Sequence, residues 1–443
     1  MTPLLALLAA ATPPPTPAAP AAEPPPIEVH GEVRVRGEGM NELDFDESTI
    51  TTGTPAWQDG ERLLLRTRIG LEARPGDHVR LFAQLQDART FGQEASTAAN
   101  ANAIALRQGW AEVHDVGGVP FALRIGRMEL SYGDQRLVGA FGWDNVGRAF
   151  DGVLARSRLG DFAVDAFYTR LHADPWNDFA RSPGDDFAGL YGRWSPSAAL
   201  QLDAYVFALY DRGGRVDSDG DGVPDTDRLP DGEDLQIYTP GLRVDALPAR
   251  GLHLNGEFAW QTGNRGSLDV AAWAFHAGAD YTFAVPLAPK IRAGYDAASG
   301  DGDADDGTWG TFENLFPTNH DKYGLMDLAA WKNLSDVWFG AGFLPFETVA
   351  IDATVHLLGR LDDGDTFYRA SGAALRDRAL AVRSDAKDVG TEIDLTLDWK
   401  VTKHFAALIG YSHLVAGGFL DDTAAGGTSP DPSFAYLQLT GSF

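Results

Sequence analysis

The sequence predicts an all-β chain: a transmembrane antiparallel β-barrel of about 18 strands, with long extracellular loops at one end and short periplasmic turns at the other. Three observations carry this. Apolar and polar residues alternate with period two in one segment after another, the connections alternate between long and short, and the last strand-like segment closes on Phe443. Period two over about ten residues means a strand with unlike faces. A soluble sandwich alternates too, but it has no reason to sort its loops by length, whereas a membrane barrel does. The longest purely apolar run, Leu4–Ala11, falls far short of the ~18–20 residues that a membrane helix needs.

The strand-like segments, in chain order, are 27–37, 62–74, 77–87, 104–114, 119–127, 150–158, 161–171, 186–195, 199–211, 235–246, 250–262, 272–284, 288–298, 334–344, 346–359, 389–401, 402–414 and 433–443. In the first, Ile27, Val29, Gly31, Val33 and Val35 alternate with Glu28, His30, Glu32, Arg34 and Arg36. In the second, Leu63, Leu65, Thr67, Ile69 and Leu71 alternate with Arg62, Arg66, Arg68 and Glu72. The same pattern returns around Phe258 and around Ile393. The long connections are 38–61, 88–103, 128–149, 172–185, 212–234, 263–271, 299–333, 360–388 and 415–432; those between them are tight turns such as Pro75–Gly76 and Leu159–Gly160. An even strand count sets both termini on the periplasmic side. In hydrocarbon every backbone polar group needs an internal partner, so the strands must close into a ring. A ring this wide cannot be filled by strand side chains, so its polar inward face lines a hydrated pore narrowed by loops that fold inward.

Composition sets the outer bounds. The 443 residues are long for one domain, but a barrel can run this far as a single unit. With 44% hydrophobic and 22% charged residues, the chain is neither disordered nor collagen-like nor a bundle of membrane helices. The absence of cysteine excludes disulfide scaffolds, thiolate metal sites and cysteine nucleophiles, and suits an oxidising compartment. A net charge of −27 argues against nucleic acid as a partner. Residues 1–11 are expected to be a signal peptide, residues 12–26 an Ala/Pro-rich periplasmic linker, and residues 27–443 the outer-membrane barrel. No Lys or Arg precedes Arg34, so the start of the signal is expected a few residues upstream. A terminal strand ending on an aromatic residue resembles the signal read by the bacterial barrel assembly machinery, with Phe443 as its last residue.

The acidic excess sits largely in the long loops; 38–61 holds seven carboxylates and no Lys or Arg. The inward face differs. Arg34, Arg36, Arg62, Arg66, Arg68, Arg74, Arg80 and Arg124 point inward against Glu28, Glu32 and Glu72, and Lys290 and Arg292 join them on a later strand. Such a stripe lowers the barrier for anions, because low-dielectric walls focus the field. The same residues can also form Arg–carboxylate ladders that stiffen the wall. Asp217, Asp219, Asp221, Asp225 and Asp227 alternate around a Gly turn and offer hard oxygens to Ca2+, with Arg228 where an EF-hand places its bidentate Glu; the alternative is a solvated acidic loop. There is no G-x-S-x-G, H-E-x-x-H or P-loop, and His30, His253, His276 and His320 suit packing or pore lining rather than catalysis.

Several motifs in order then resemble one family. GRMELSYGDQRLVG at Gly126–Gly139, followed by Trp143, Asn145 and GRAFDGV at Gly147–Val153, is similar to the alginate export family of outer-membrane barrels. So are FENLFPTNHDKYGLMDLAAWKNLSDV at Phe312–Val337, DVGTEIDLTL at Asp388–Leu397 and GYSHLVAGGFL at Gly410–Leu420. The resemblance implies an 18-stranded barrel that passes an acidic polysaccharide outward through an Arg-lined, loop-constricted pore. It places Arg127, Glu129, Arg136 and Arg148 at or behind the constriction and makes Glu392 and Asp394 inward acids of a late strand.

The expected function is therefore an outer-membrane channel of a Gram-negative bacterium that conducts an anionic, alginate-like polysaccharide outward, with a periplasmic export partner and no enzymatic activity. It is expected to be a monomer surrounded by outer-membrane lipid. The alternatives are a porin for uptake or diffusion of small anionic solutes, a barrel enzyme acting on lipid or polysaccharide, and a structural surface protein.

Overall fold

The computed structural model describes residues 27–41, 60–92, 104–171, 186–211 and 234–443. The expected signal peptide, the linker and the acidic stretch Asp217–Asp227 lie outside the described residues. Nineteen strands form among the described residues: β1 (Ile27–Asn41), β2 (Gly60–Ala73), β3 (Val79–Thr90), β4 (Ala105–His114), β5 (Phe121–Met128), β6 (Phe150–Leu159), β7 (Phe162–Arg170), β8 (Asp186–Ser197), β9 (Leu200–Asp211), β10 (Leu235–Ala249), β11 (Leu252–Arg265), β12 (Leu268–Thr282), β13 (Lys290–Ala298), β14 (Thr308–Trp309), β15 (Leu334–Phe346), β16 (Val349–Gly359), β17 (Asp388–Thr402), β18 (Phe405–Ala416) and β19 (Ser433–Ser442). The two-residue β14 lies parallel beside β12. The other eighteen are the wall: each pairs antiparallel with the next, and β19 pairs with β1 to close the ring.

Closure is keyed by the last residue. Gly31 N–H donates to the Phe443 carbonyl at 3.0 Å and Phe443 N–H returns the bond at 3.1 Å. A Cβ on Gly31 would overlap the Phe443 ring, so the bare backbone at 31 makes room for it. The outward parity follows the alternation in the sequence. Val29, Val33, Ile69, Leu71, Ile125, Val206, Phe258, Phe339, Leu395 and Leu437 are all exposed large hydrophobics. Exposure of so much apolar surface is stable only against lipid.

One connection departs from expectation. The segment 263–271 is not a long loop: β11 runs to Arg265, β12 begins at Leu268, and Gly266–Ser267 is a two-residue turn. Gly266 takes the left-handed conformation (φ 54°) that such a hairpin needs.

The core of the protein sits inside the barrel. The segments 129–149 and 299–333 fold into the lumen and join through a short parallel bridge, with Phe316 N–H on Leu137 C=O and Gly139 N–H on Phe316 C=O, both 2.8 Å. Their buried Leu130, Leu137, Phe312, Tyr323 and Trp331 belong to one hydrophobic cluster with inward residues of β7–β9, which Phe316 joins through Phe187 and Tyr132 through Phe167. Each such side chain contributes about 1.5–3 kcal/mol by burial, enough to hold irregular chain in place of lumenal water. The segment 360–387 closes over the same end as the long loops. It is organised by buried Arg360, whose guanidinium donates to the carbonyls of Asp365, Ser384 and Ala386.

Candidate functional site: two charged walls facing the inward loops

The first wall belongs to β1–β4. Alternation turns Arg34, Arg36, Arg66 and Arg68 inward, and the loop 139–148 lies on them with its carbonyls toward the wall. Arg34 Nη1 donates to Gly142 O and Nη2 to Asp144 O, each at 2.9 Å. Arg66 Nη1 reaches the same two oxygens at 2.9 Å while its Nε holds Glu32 at 2.8 Å. Arg36 donates to Trp143 O at 2.6 Å and lies 3.7 Å over the Trp143 ring, whose other side stacks on His320 at 3.7 Å. Arg68 donates to Val146 O at 3.0 Å and to Gln86 at 2.6 Å.

A further member was not legible as part of the stripe. Arg107 is buried, donates to Arg148 O at 2.6 Å and pairs with Glu129 at 3.0 Å. The register of β3 against β4 shifts between Gln84 and Leu85, which leaves Arg107 without a cross-strand partner and turns it inward. Two consecutive polar residues, Arg107 and Gln108, are the trace this bulge leaves in the sequence.

Arg124, Arg148 and Arg127 fall into three further places. Toward the short turns, Arg124 pairs with Glu112 at 2.8 Å and covers Trp110, while Arg80 bridges Glu112 and Glu72; this is a wall ladder. Arg148 reaches the carbonyls of Gly139 (3.1 Å) and Pro317 (2.9 Å) and so clamps the two inward loops together. Arg127 stands apart from both: it shares the outward parity of Leu123 and Ile125 and pairs with Asp151 of β6 at 2.6 Å, both side chains exposed.

The second wall spans β12–β18. His276 (β12) contacts Asp296 (β13) at 2.8 Å, and Trp338 (β15) donates to the other Asp296 oxygen at 2.8 Å. His356 (β16) contacts Asp336 (β15) at 2.8 Å and approaches Asp394 (β17) at 3.8 Å. Glu392 accepts from Met326 N–H and Ser412 Oγ, each at 2.9 Å, and Asp394 accepts from Leu325 N–H at 3.2 Å. Lys290 pairs with Asp280 at 3.2 Å, and Arg292 with Asp352 and Thr354. Arg136, on the inward loop, ties the loop to this wall through Asp296 at 2.7 Å and Tyr323 at 3.1 Å. Burial opposes its charge, but Asp296 and Asp134 keep it protonated and push its pKa above the usual arginine value. Asp134 is the loop's own counter-charge; burial works against its ionisation, yet Arg136 holds it well below the ordinary carboxylate range.

The two walls differ in compensation. Among the described residues, neither Arg34 nor Arg68 hydrogen-bonds or ion-pairs with a carboxylate; their acceptors are carbonyls and amide oxygens, which carry no net charge, and Glu32, their nearby counter-charge, is held by Arg66. Guanidinium without a directly paired carboxylate in a low-dielectric lumen creates a local field favourable to anions. No group of His, Asp and Glu among the described residues is arranged to hold a metal ion.

The profile of the alginate export family matches residues 28–430, nearly the whole barrel. The chain belongs to the alginate export family. In fold, this alginate export chain is similar to several solved Pseudomonas aeruginosa structures. OccD3 (OpdP) superposes with a TM-score of 0.59 at 11% identity, over 94% of this chain and 91% of that one. OccK11 (OpdR) gives 0.57 at 12% identity over 94% and 96%. OpdO gives 0.57 at 15% over 94% and 97%. At these identities the likeness is one of fold. A comparison with curated proteins found no match in sequence. This member of the alginate export family is thus an outer-membrane, porin-like barrel with 18 wall strands among the described residues.

Proposed function

We propose that the protein conducts anionic solutes across the outer membrane, and that small carboxylate-bearing solutes suit its lumen best. One observation carries this: Arg34 and Arg68 face neutral oxygens instead of carboxylates, so positive charge is left over where the inward loops narrow the lumen. A solute carboxylate accepts two parallel hydrogen bonds from one guanidinium. Transport requires that no such site bind too well, and sharing two acceptors between Arg34 and Arg66 keeps each contact modest. The packed loop core, with Phe312 and Trp331 fully buried, favours single small solutes over a bulky chain.

A second role, outward passage of an alginate-like polysaccharide with help from a periplasmic partner, draws its support from the family match over 28–430. Both roles use Arg34, Arg36, Arg66 and Arg68, so ligand length separates them. Chloride current through the purified barrel in a planar bilayer should fall on adding glucuronate and stay unchanged with glucose. Equal block by the two sugars would refute recognition of the carboxylate. Block by oligouronates at much lower concentration than by the monomer would favour the polymer. Exposed Phe443 at the end of the seam is the feature we assign to recognition by the assembly machinery.

A further inference from the structure

Resting on the anion-channel proposal, we infer that the loop strip Gly142–Asp144 is a built-in stand-in for the permeating carboxylate, and that the solute moves through the site by displacing it. The two η nitrogens of Arg34 each hold one oxygen, Gly142 O and Asp144 O, both at 2.9 Å. That is how a guanidinium holds the two oxygens of a carboxylate. Arg66 adds a second donor to both oxygens at 2.9 Å, and Asn145 Oδ1 completes the set at 3.3 Å from Arg34 Nη2. Two buried arginines thus converge on a pair of acceptors that lack the charge the site is built to take.

The peptide groups of Gly142 and Asp144 can turn away about Trp143, which stays held between Arg36 and His320. Gly142 is exposed, a Cβ there would meet nothing, and Val146 is exposed as well, so lumenal space lies on the far side of the strip. The Asn145 amide holds its own partners, Leu65 O and Arg89 O, only at 3.3 Å. The flanks are firmer: Arg107 on Arg148 O at 2.6 Å, and Arg148 on Pro317 O at 2.9 Å. With Trp143 fixed, these confine movement to the Gly142 and Asp144 carbonyls and leave the bridge to 299–333 intact. A charged acceptor bonds a guanidinium about twice as strongly as a neutral one, so an incoming carboxylate outcompetes the carbonyls, which rehydrate in the lumen. When the solute departs, the carbonyls return and the arginines are never left bare. Within the strip, the Asp144 carboxylate caps the N–H groups of Val146 (2.7 Å) and Gly147 (2.9 Å), so displacement of Asp144 uncaps them.

Hydrogen exchange on the full-length barrel in detergent, read by mass spectrometry over 140–148, tests this with glucuronate, its methyl ester and chloride at equal ionic strength. Glucuronate should speed exchange at Val146 and Gly147 several-fold, and the ester and chloride should not. Arg34→Lys, which keeps the charge but loses the fork, should abolish that response; if this variant fails to fold, the wild-type comparison still decides. Unchanged or slowed exchange in a barrel whose current glucuronate blocks would overturn the displacement idea and leave the anion channel standing. A barrel that glucuronate neither blocks nor loosens would overturn both.

Discussion

The two charged walls hold the two inward loops by opposite ends of the peptide group. On β1–β4, arginines bind the carbonyls of 139–148. On β17, Glu392 and Asp394 bind the N–H groups of Leu325 and Met326. A loop segment can satisfy either wall without spending a side chain, since every residue carries both a donor and an acceptor. The outcome for function differs. On the acid wall a full counter-charge, Arg136, sits on Asp296, and imidazole and indole nitrogens bond the remaining oxygens of Asp296 and Asp336, so the charge of Asp296 is met where it arises. The arginine wall keeps a surplus, because a carbonyl satisfies a hydrogen bond without cancelling a charge. The basic wall is therefore the one able to act on a passing solute, and the acid wall mainly secures the plug.

This contrast can be broken from several directions. The largest effect should come from neither wall's lumenal face but from the lipid side of the basic one. Leu65→Arg places a guanidinium in hydrocarbon at a cost of roughly 2–4 kcal/mol near mid-bilayer, and should abolish the folded, heat-modifiable band on gels. Arg66→Leu, one residue away, loses only lumenal bonds and should fold with a smaller penalty; equal loss of the band in both would reverse the assigned faces. A comparable assembly defect is expected for Gly31→Val, whose side chain would collide with the Phe443 ring at the seam, whereas Gly37→Val, with only Leu63 nearby, should assemble normally.

Next in size is selectivity. The double variant Arg34→Gln/Arg66→Gln should lower the chloride-to-potassium permeability ratio about tenfold, which corresponds to about 1.4 kcal/mol. Glu392→Gln should barely change it. That substitution keeps an oxygen for Met326 N–H and Ser412 and should cost less than about 1 kcal/mol in stability by denaturant titration. A Glu392→Gln barrel with altered selectivity would mean that the acid wall also faces the solute. Between these lies Arg107→Met: removal of its bonds to Arg148 O and Glu129 should destabilise the loop by about 1–3 kcal/mol, seen as faster proteolysis within 139–148 while the barrel band persists.

The strands were legible because period two is a local signal, and the faces of β1, β2 and β17 follow it residue by residue. The hairpin at Gly266 was not, because Gly263, Asn264, Gly266 and Ser267 together look like loop chemistry, while Gly263 in fact continues the strand at φ 141°. The direction of Arg34, Arg36, Arg66 and Arg68 was legible; what they hold was not. Their partners are main-chain carbonyls, which every residue possesses and no sequence pattern marks. Arg107 was hidden by a bulge, and Arg127 took its place near the constriction from its motif although the alternation of Leu123, Ile125 and Arg127 already puts it outside. The His276–Asp296 and His356–Asp336 pairs needed the register of neighbouring strands, which no single strand contains.

The central claim, that arginine without a directly paired carboxylate on β1–β4 governs permeation in spite of a chain charge of −27, is tested most directly by the reversal potential of the unmodified barrel in a potassium chloride gradient. The account predicts a sign set by chloride. A sign set by potassium would contradict it, because carboxylates and not the arginine wall would then control the pore.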